Sequence, residues 1–292
     1  MLKLTKELVV NWHITEACNY KCDYCFAKWD SNSKEVLHSP IKIETLIEQI
    51  DNIRHVLNKS NKNVYFDQLR LNLVGGETFL YGKQLKNIIN LAKKYNFRLS
   101  AISNGSLFNE IDMKFIAQNF SSLGVSVDSI NEYTNAAIGR TSKQNTFNPS
   151  QVLKAINQIK KYNPMIEIKI NTVVNKLNVS EDLSCFISQI QPNKWKIFKL
   201  LPVYSNKLDI TEQEFHQFIE KHSNFKSIIS SENNNDMTES YLMIDPLGRF
   251  FQNGYTSGYK YSSPLWQISA EAALKQIKFD SQKFINRYKK IL

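Results

Sequence analysis

Six short segments of the chain read as strands: "LVVNWHI" (8–14), "LRLNLV" (69–74), "RLSAIS" (98–103), "LGVSV" (123–127), "IEIKINTVV" (166–174) and "WKIFK" (195–199). Between them run segments with apolar residues at three- and four-residue spacing, which predict amphipathic helices. These are "IKIETLIEQIDNIRHVL" after Pro40, "KQLKNIINLAKKY" from Lys83, "PSQVLKAINQIKKY" from Pro149 and "SEDLSCFISQI" from Ser180. Six βα units in series imply parallel strands joined by right-handed crossovers, in an open sheet or a partial barrel. Alternation within the strands separates the two. Leu8, Val10, Trp12 and Ile14 share one face of the first strand, with Asn11, His13 and Thr15 on the other. Ile166, Ile168 and Ile170 oppose Glu167, Lys169 and Asn171 in the same way. An open sheet covered on both faces would need apolar residues on both. The pattern predicts an α/β fold, a partial (βα)6 TIM-like barrel with a polar interior that holds substrate.

Beyond residue 222 the pattern changes. "SYLMIDPLGRFFQNGY" predicts a β-hairpin turning at residues 245–248, followed by a Gly-, Ser- and Tyr-rich loop, "NGYTSGYKYSSP". The preceding "SSENNNDMTES" reads as polar and exposed. We expect one domain over residues 1–292, with a barrel core to residue 222 and a C-terminal hairpin and tail, 223–292, closing the substrate site. Composition fits a soluble globular chain of 292 residues, 42% hydrophobic and 22% charged, with no apolar run long enough to span a membrane and no signal peptide. A cytoplasmic location is expected. The net charge of +10, from 37 Lys and Arg against 27 Asp and Glu, marks either a basic surface or an anionic partner, and only placement can decide between them.

Three of the four cysteines, Cys18, Cys22 and Cys25, fall within eight residues directly after the first strand. Bridges between such close neighbours would be strained, so a disulfide framework is excluded. Structural zinc closes with four ligands, usually as two pairs, and no second pair exists; His13 is the one candidate to complete the set. An iron-sulfur cluster tolerates three thiolates and leaves one iron open. Cys185 falls in an apolar helical stretch and is expected to pack.

With "CNYKCDYC" as a CxxxCxxC motif and "LVGGETF" after the second strand, the chain resembles the radical S-adenosylmethionine superfamily. It further resembles the viperin family through "NWHITEACNYKCDYCF", "LVGGETFL", "ISNGSL", "SVDSINEYTNAAIGR", "KINTVVNKLNVSEDL", "KWKIFK" and "SYLMIDPLGRF", in family order over about residues 11 to 251. Thr78 replaces the proline of the usual Gly-Gly-Glu-Pro. The chain starts almost at its first strand, so the amphipathic membrane anchor of vertebrate members is expected to be absent.

The resemblance implies a [4Fe-4S] cluster on Cys18, Cys22 and Cys25, with S-adenosylmethionine held by Gly75, Gly76, Glu77, Asn104, Ser126 and Asp128. It implies a nucleotide dehydratase that takes CTP or UTP, with GTP as the alternative, to a 3'-deoxy-3',4'-didehydro product in antiviral or antiphage defence. Asn11, Arg140, Lys169, Asn171, Lys194 and Lys196 would bind the nucleoside triphosphate, and Tyr241 would quench the product radical. The lysines support this independently. Lys194 and Lys196 share a strand face, Lys169 lies on the polar face of the preceding strand, and three interior ammonium groups need an anion to answer them. The plain alternatives are a solvated edge strand for the lysines, an exposed loop for Arg140, capped strand ends for Asn104, Ser126 and Asp128, satisfied interior amides for Asn11 and Asn171, and a core ring for Tyr241. An external electron donor is implied, with no nucleic acid and no membrane as partners, and a monomer is expected. The rival readings are a radical enzyme that modifies a peptide or cofactor precursor, and a non-catalytic metal- or nucleotide-binding module.

Overall fold

The computed structural model describes residues 4–29, 34–60, 64–142, 146–202, 206–253 and 259–289. In chain order these form β1 (Leu4–His13), α1 (Pro40–Ser60), β2 (Val64–Val74), α2 (Gly82–Lys94), β3 (Arg98–Ser103), α3 (Met113–Asn119), β4 (Ser122–Ser126), α4 (Glu132–Ile138), α5 (Pro149–Tyr162), β5 (Glu167–Val174), α6 (Ser184–Ile190) and β6 (Lys194–Lys199). They continue with α7 (Glu212–Lys221), β7 (Ile229–Glu232), α8 (Asn234–Met237), β8 (Leu242–Ile244), β9 (Arg249–Asn253), β10 (Tyr259–Pro264), α9 (Ala270–Leu274) and α10 (Ser281–Lys289). The chain gathers into two compact units.

The first unit comprises Met1–Ala17, Trp29–Ala101 and Thr238–Phe284. Its strands run β10-β9-β8-β1-β2-β3. β8, β1, β2 and β3 are parallel, and β9 and β10 turn back antiparallel. The alternation expected in β1 is realised: Leu8, Val10, Trp12 and Ile14 are fully buried. α1 contributes Ile43, Leu46, Ile47, Ile50 and Ile53 to the core, a stripe of helical period. The expected hairpin is β8–β9. The Asp245 carboxylate accepts the N–H groups of Leu247 and Arg249 across its turn, at 3.0 and 2.9 Å. β8 then pairs in parallel with β1.

The second unit comprises Cys18–Lys28, Ile102–Met237 and Ile285–Leu292. Its strands run β4-β5-β6-β7, all parallel. Val125, Ile168, Ile170, Trp195 and Ile197 form its apolar face, and the Trp195 indole N–H donates to the Thr172 hydroxyl at 3.0 Å. Asn148 caps α5 with Pro149 in the first turn, and α4 ends at Gly139 with φ 87°.

Three local expectations change. α6 begins at Ser184 rather than Ser180, because the side chains of Asn175 and Asn178 bond nearby backbone N–H groups and hold a turn there. Within that later helix the buried stripe is Phe186, Ile187 and Ile190, so Cys185 is exposed rather than packed. The stretch read as polar and exposed contains β7 and α8, and Glu232 in it is buried. An ion-pair partner from a neighbouring strand makes that burial tolerable.

Candidate active site

In the first unit the Gly-Gly-Glu turn is fastened to the end of β1. Gly76 N–H donates to the Thr15 carbonyl at 2.8 Å and Glu77 N–H to the Ala17 carbonyl at 2.9 Å. No side chain fits between these segments: a Cβ at Gly75 (φ 153°) would stand 2.6 Å from the Thr15 oxygen, and one at Gly76 2.2 Å from the Ala17 oxygen. Thr78, in place of proline, is buried and donates its hydroxyl to the Leu73 carbonyl at 3.4 Å. A residue that the sequence did not reveal, Glu35, holds the same segment. Its buried carboxylate accepts the Thr15 hydroxyl at 2.8 Å and the Glu16 N–H at 2.7 Å, while the Thr15 hydroxyl oxygen accepts Ala17 N–H at 3.0 Å.

Along the polar face of this unit, Asn11 donates to the Leu242 carbonyl (3.3 Å), Asn72 to the Asn11 amide oxygen (2.7 Å), and Ser100 to the Asn72 amide oxygen (2.7 Å). Asn11 is thus one member of an interior amide ladder. Tyr241 precedes β8 beside it, half-buried, with its carbonyl accepting from Gln252 at 3.0 Å. His13 lies edge-on to Trp29 and Phe251, at 4.9 and 5.1 Å between ring centres, and burial lowers its pKa to about 3. It is therefore a neutral member of an aromatic cluster.

In the second unit the cysteine loop is tied down at several points. Lys21 N–H donates to the Gly139 carbonyl and Asp23 N–H to the Ile138 carbonyl, both at 3.0 Å. A Cβ on Gly139 would meet the Lys21 oxygen at 2.2 Å. Tyr24 donates its hydroxyl to Asp128. The Asp128 carboxylate also accepts Arg140 at 2.9 Å and the Val173 N–H at 2.8 Å, and Arg140 donates to the Ser126 carbonyl at 2.6 Å. Asp128 and Arg140 are 1% and 3% exposed. Together they clamp the cysteine loop to the end of β4. Burial is the largest influence on the Arg140 charge and opposes it, but Asp128 together with the neighbouring Tyr24 and Cys22 outweighs it and holds the guanidinium above its ordinary pKa. Burial likewise pushes the Cys22 thiol up to about 12. Asn104 donates toward the Cys18 sulfur at 3.6 Å and to the Asn19 side chain at 3.0 Å. Ser126 is half-buried at the end of β4, opposite Asn171.

The three lysines come together by strand register. Lys169 pairs with Lys194, and Asn171 with Lys196. Gly124 stands opposite Lys169 on the other side, without a side chain. The cations are partly answered by protein: Lys196 Nζ is 2.7 Å from Glu232 and Lys169 Nζ 3.1 Å from Glu167. A bound anion is therefore not their only counter-charge, contrary to the expectation from sequence. The Gly-, Ser- and Tyr-rich loop, residues 253–264, falls in part outside the described residues, at 254–258.

Comparison with known proteins agrees with this arrangement. Residues 12–181 match the profile of the Radical SAM superfamily. An S-adenosylmethionine-dependent nucleotide dehydratase of Psychrobacter lutiphocae is 50% identical over 286 residues, covering 98% of this chain and 96% of the relative. This chain belongs to the S-adenosylmethionine-dependent nucleotide dehydratases of the radical SAM superfamily. Another dehydratase of the family, RSAD2 of Oncorhynchus mykiss, is 29% identical, covering 95% of this chain and 78% of the relative. The solved structure of native anSMEcpe with bound AdoMet and Kp18Cys peptide superposes with a TM-score of 0.66, over 96% of this chain and 84% of that one. Its 18% identity shows a shared fold alone. The superfamily uses a [4Fe-4S] cluster and S-adenosylmethionine, which sets aside the zinc and non-catalytic readings. The residues present fit those groups. The cysteine loop of this dehydratase offers three thiols and no fourth, and the glycine turn presents backbone where any side chain would collide. No helix among the described residues is long and apolar enough to cross a membrane.

Proposed function

We propose that the nucleotide is a ribonucleoside triphosphate, CTP or UTP with GTP as the alternative, and that the product is its 3'-deoxy-3',4'-didehydro analogue. The observation that carries this reading is the row of Lys169, Lys194 and Lys196 on one face of adjacent strands, with Asn171 between them in register. Only a polyanion gives three neighbouring ammonium groups a common partner, and Lys196 can exchange a single carboxylate for several phosphate oxygens. When bound, the cluster and S-adenosylmethionine supply a 5'-deoxyadenosyl radical that removes the ribose 4' hydrogen. The chain's own residues do the rest. Cys18, Cys22 and Cys25 hold the cluster. Gly75, Gly76 and Glu77 hold the cofactor's methionine amino group, and Asn104, Ser126 and Asp128 line its pocket. Asn11, its amide fixed by the Leu242 carbonyl and Asn72, and Asn171 line the nucleotide. Loss of the 3' hydroxyl as water leaves a product radical that takes one further electron and a proton, and Tyr241, directly before β8, delivers them. Such a nucleotide lacks the 3' hydroxyl that chain extension needs, so it terminates RNA synthesis and suits defence against a virus or phage.

The test is an anaerobic reaction of reconstituted enzyme with reductant, S-adenosylmethionine and each nucleoside triphosphate in turn. The expected outcome is 5'-deoxyadenosine together with a nucleotide lighter by one water. Deoxyadenosine formation indifferent to every nucleotide, with no altered nucleotide, would overturn the proposal.

A further inference from the structure

The first unit carries a surface groove of about 610 Å³ between the start of α1 and the C-terminal hairpin. Lys34, His38, Lys42 and Arg249 line it, with Trp266 as its aromatic wall and Glu35 among its inner residues. Two carboxylates here, Asp245 and Glu35, are turned inward. Asp245 is fully buried and pairs with Arg249 at 2.6 Å, and Glu35 is 6% exposed with both oxygens engaged by Thr15 and Glu16. What faces outward is cationic and aromatic: Lys42 Nζ stands 4.0 Å from the centre of the Trp266 ring, and the Arg249 guanidinium 4.1 Å from that of Tyr261. Arginine and aromatic rings are the groups that protein interfaces favour.

We infer that this groove docks an acidic one-electron carrier protein, the partner that reduces the cluster. Two observations join here. The charge is complementary to a small acidic protein and not to a second copy of this basic chain, whose net charge is +10. The groove's inner carboxylate, Glu35, is also the group that holds the Glu16 N–H. Cys18 follows two residues later, so chain length alone keeps it within about 7 Å of that peptide. A partner seated in the groove gives up one electron, the cluster accepts it, and the path between them is short. None of the nucleotide-binding residues takes part, so the inference stands apart from the choice of substrate and rests only on the superfamily's need for an external electron.

The test uses reconstituted enzyme and a purified acidic flavodoxin as probe. Binding is measured at low and high salt, and cluster reduction is followed by absorbance with flavodoxin or dithionite as reductant. The variant Lys34→Glu/Lys42→Glu should weaken flavodoxin binding by about tenfold or more at low salt and slow reduction by flavodoxin, while reduction by dithionite is unchanged. A second variant, Lys154→Glu/Lys161→Glu, makes the same charge change at exposed positions of α5 and should bind flavodoxin much better than the first. Unchanged binding in the groove variant, equal loss in both variants, or an equal fall in dithionite reduction would each overturn the assignment. So would inorganic phosphate binding in the groove with no flavodoxin binding.

Discussion

Replacing Glu35 tests how the start of the cysteine loop is held. In Glu35→Ala the Thr15 hydroxyl and the Glu16 N–H lose their acceptor oxygens at 2.8 and 2.7 Å, in a setting that admits little water. Leaving a buried donor unmade costs about 1–3 kcal/mol, so the two together destabilise by about 2–6 kcal/mol. Glu35→Gln keeps one acceptor oxygen and should lose about half as much. The effect extends beyond stability. The Thr15 carbonyl receives the Gly76 N–H and the Ala17 carbonyl the Glu77 N–H, so a displaced Thr15–Ala17 segment displaces the Gly-Gly-Glu turn with it. Urea unfolding of cluster-free protein measures the first consequence, and iron and sulfide per chain after reconstitution the second. The expected order in both is wild type, then Gln, then Ala. An alanine variant within about 0.5 kcal/mol of wild type and with full cluster content would refute the reasoning.

Further outcomes follow from the same geometry. Gly76→Ala should abolish cofactor binding, whereas Gly82→Ala, where an added Cβ meets nothing within 4 Å, should leave it intact; equal loss in both would count against the close approach. Asp128→Asn removes the partner of a buried guanidinium and should cost about 3–5 kcal/mol by denaturant unfolding, with a change under about 1 kcal/mol contradicting the clamp. Glu232→Gln frees Lys196 from its carboxylate and should tighten nucleotide binding by calorimetry, while weaker binding would contradict the phosphate role. His13, with its folded pKa near 3, takes up fewer protons in the fold than when unfolded. Stability should therefore fall as the pH drops from 6.5 toward 3, by up to about 5 kcal/mol, and His13→Phe should flatten that acid limb. Parallel curves for the two proteins would rule this out.

Those residues also show what the sequence could and could not disclose. The period-two pattern of β1 and β5 identified the buried face correctly because burial on one side of a strand is written locally, residue by residue. The cysteine loop and the glycine turn were legible for the same reason, as short contiguous chemistry. Partners separated along the chain were not. Nothing near Thr15 announces Glu35, and Tyr24 and Asp128 are 104 residues apart. Glu232 was hidden in a run of polar residues, and only its pairing with Lys196 across two strands shows why it is buried. The direction of Cys185 depended on where α6 starts, which side-chain-backbone bonds at Asn175 and Asn178 decide. The start of α7 is written locally as well, in the capping box that Thr211 and Glu214 form.

The loop from Cys18 to Cys25 is anchored by backbone bonds to Ile138 and Gly139 and by Tyr24 on Asp128, all made by protein alone. Ordering a residue costs about 1–2 kcal/mol of chain entropy, and these contacts, none of which uses a thiol, offset part of it for the loop. The groups that fasten the loop and the thiols that would hold the cluster are therefore different groups, so a substitution can weaken one set without touching the other.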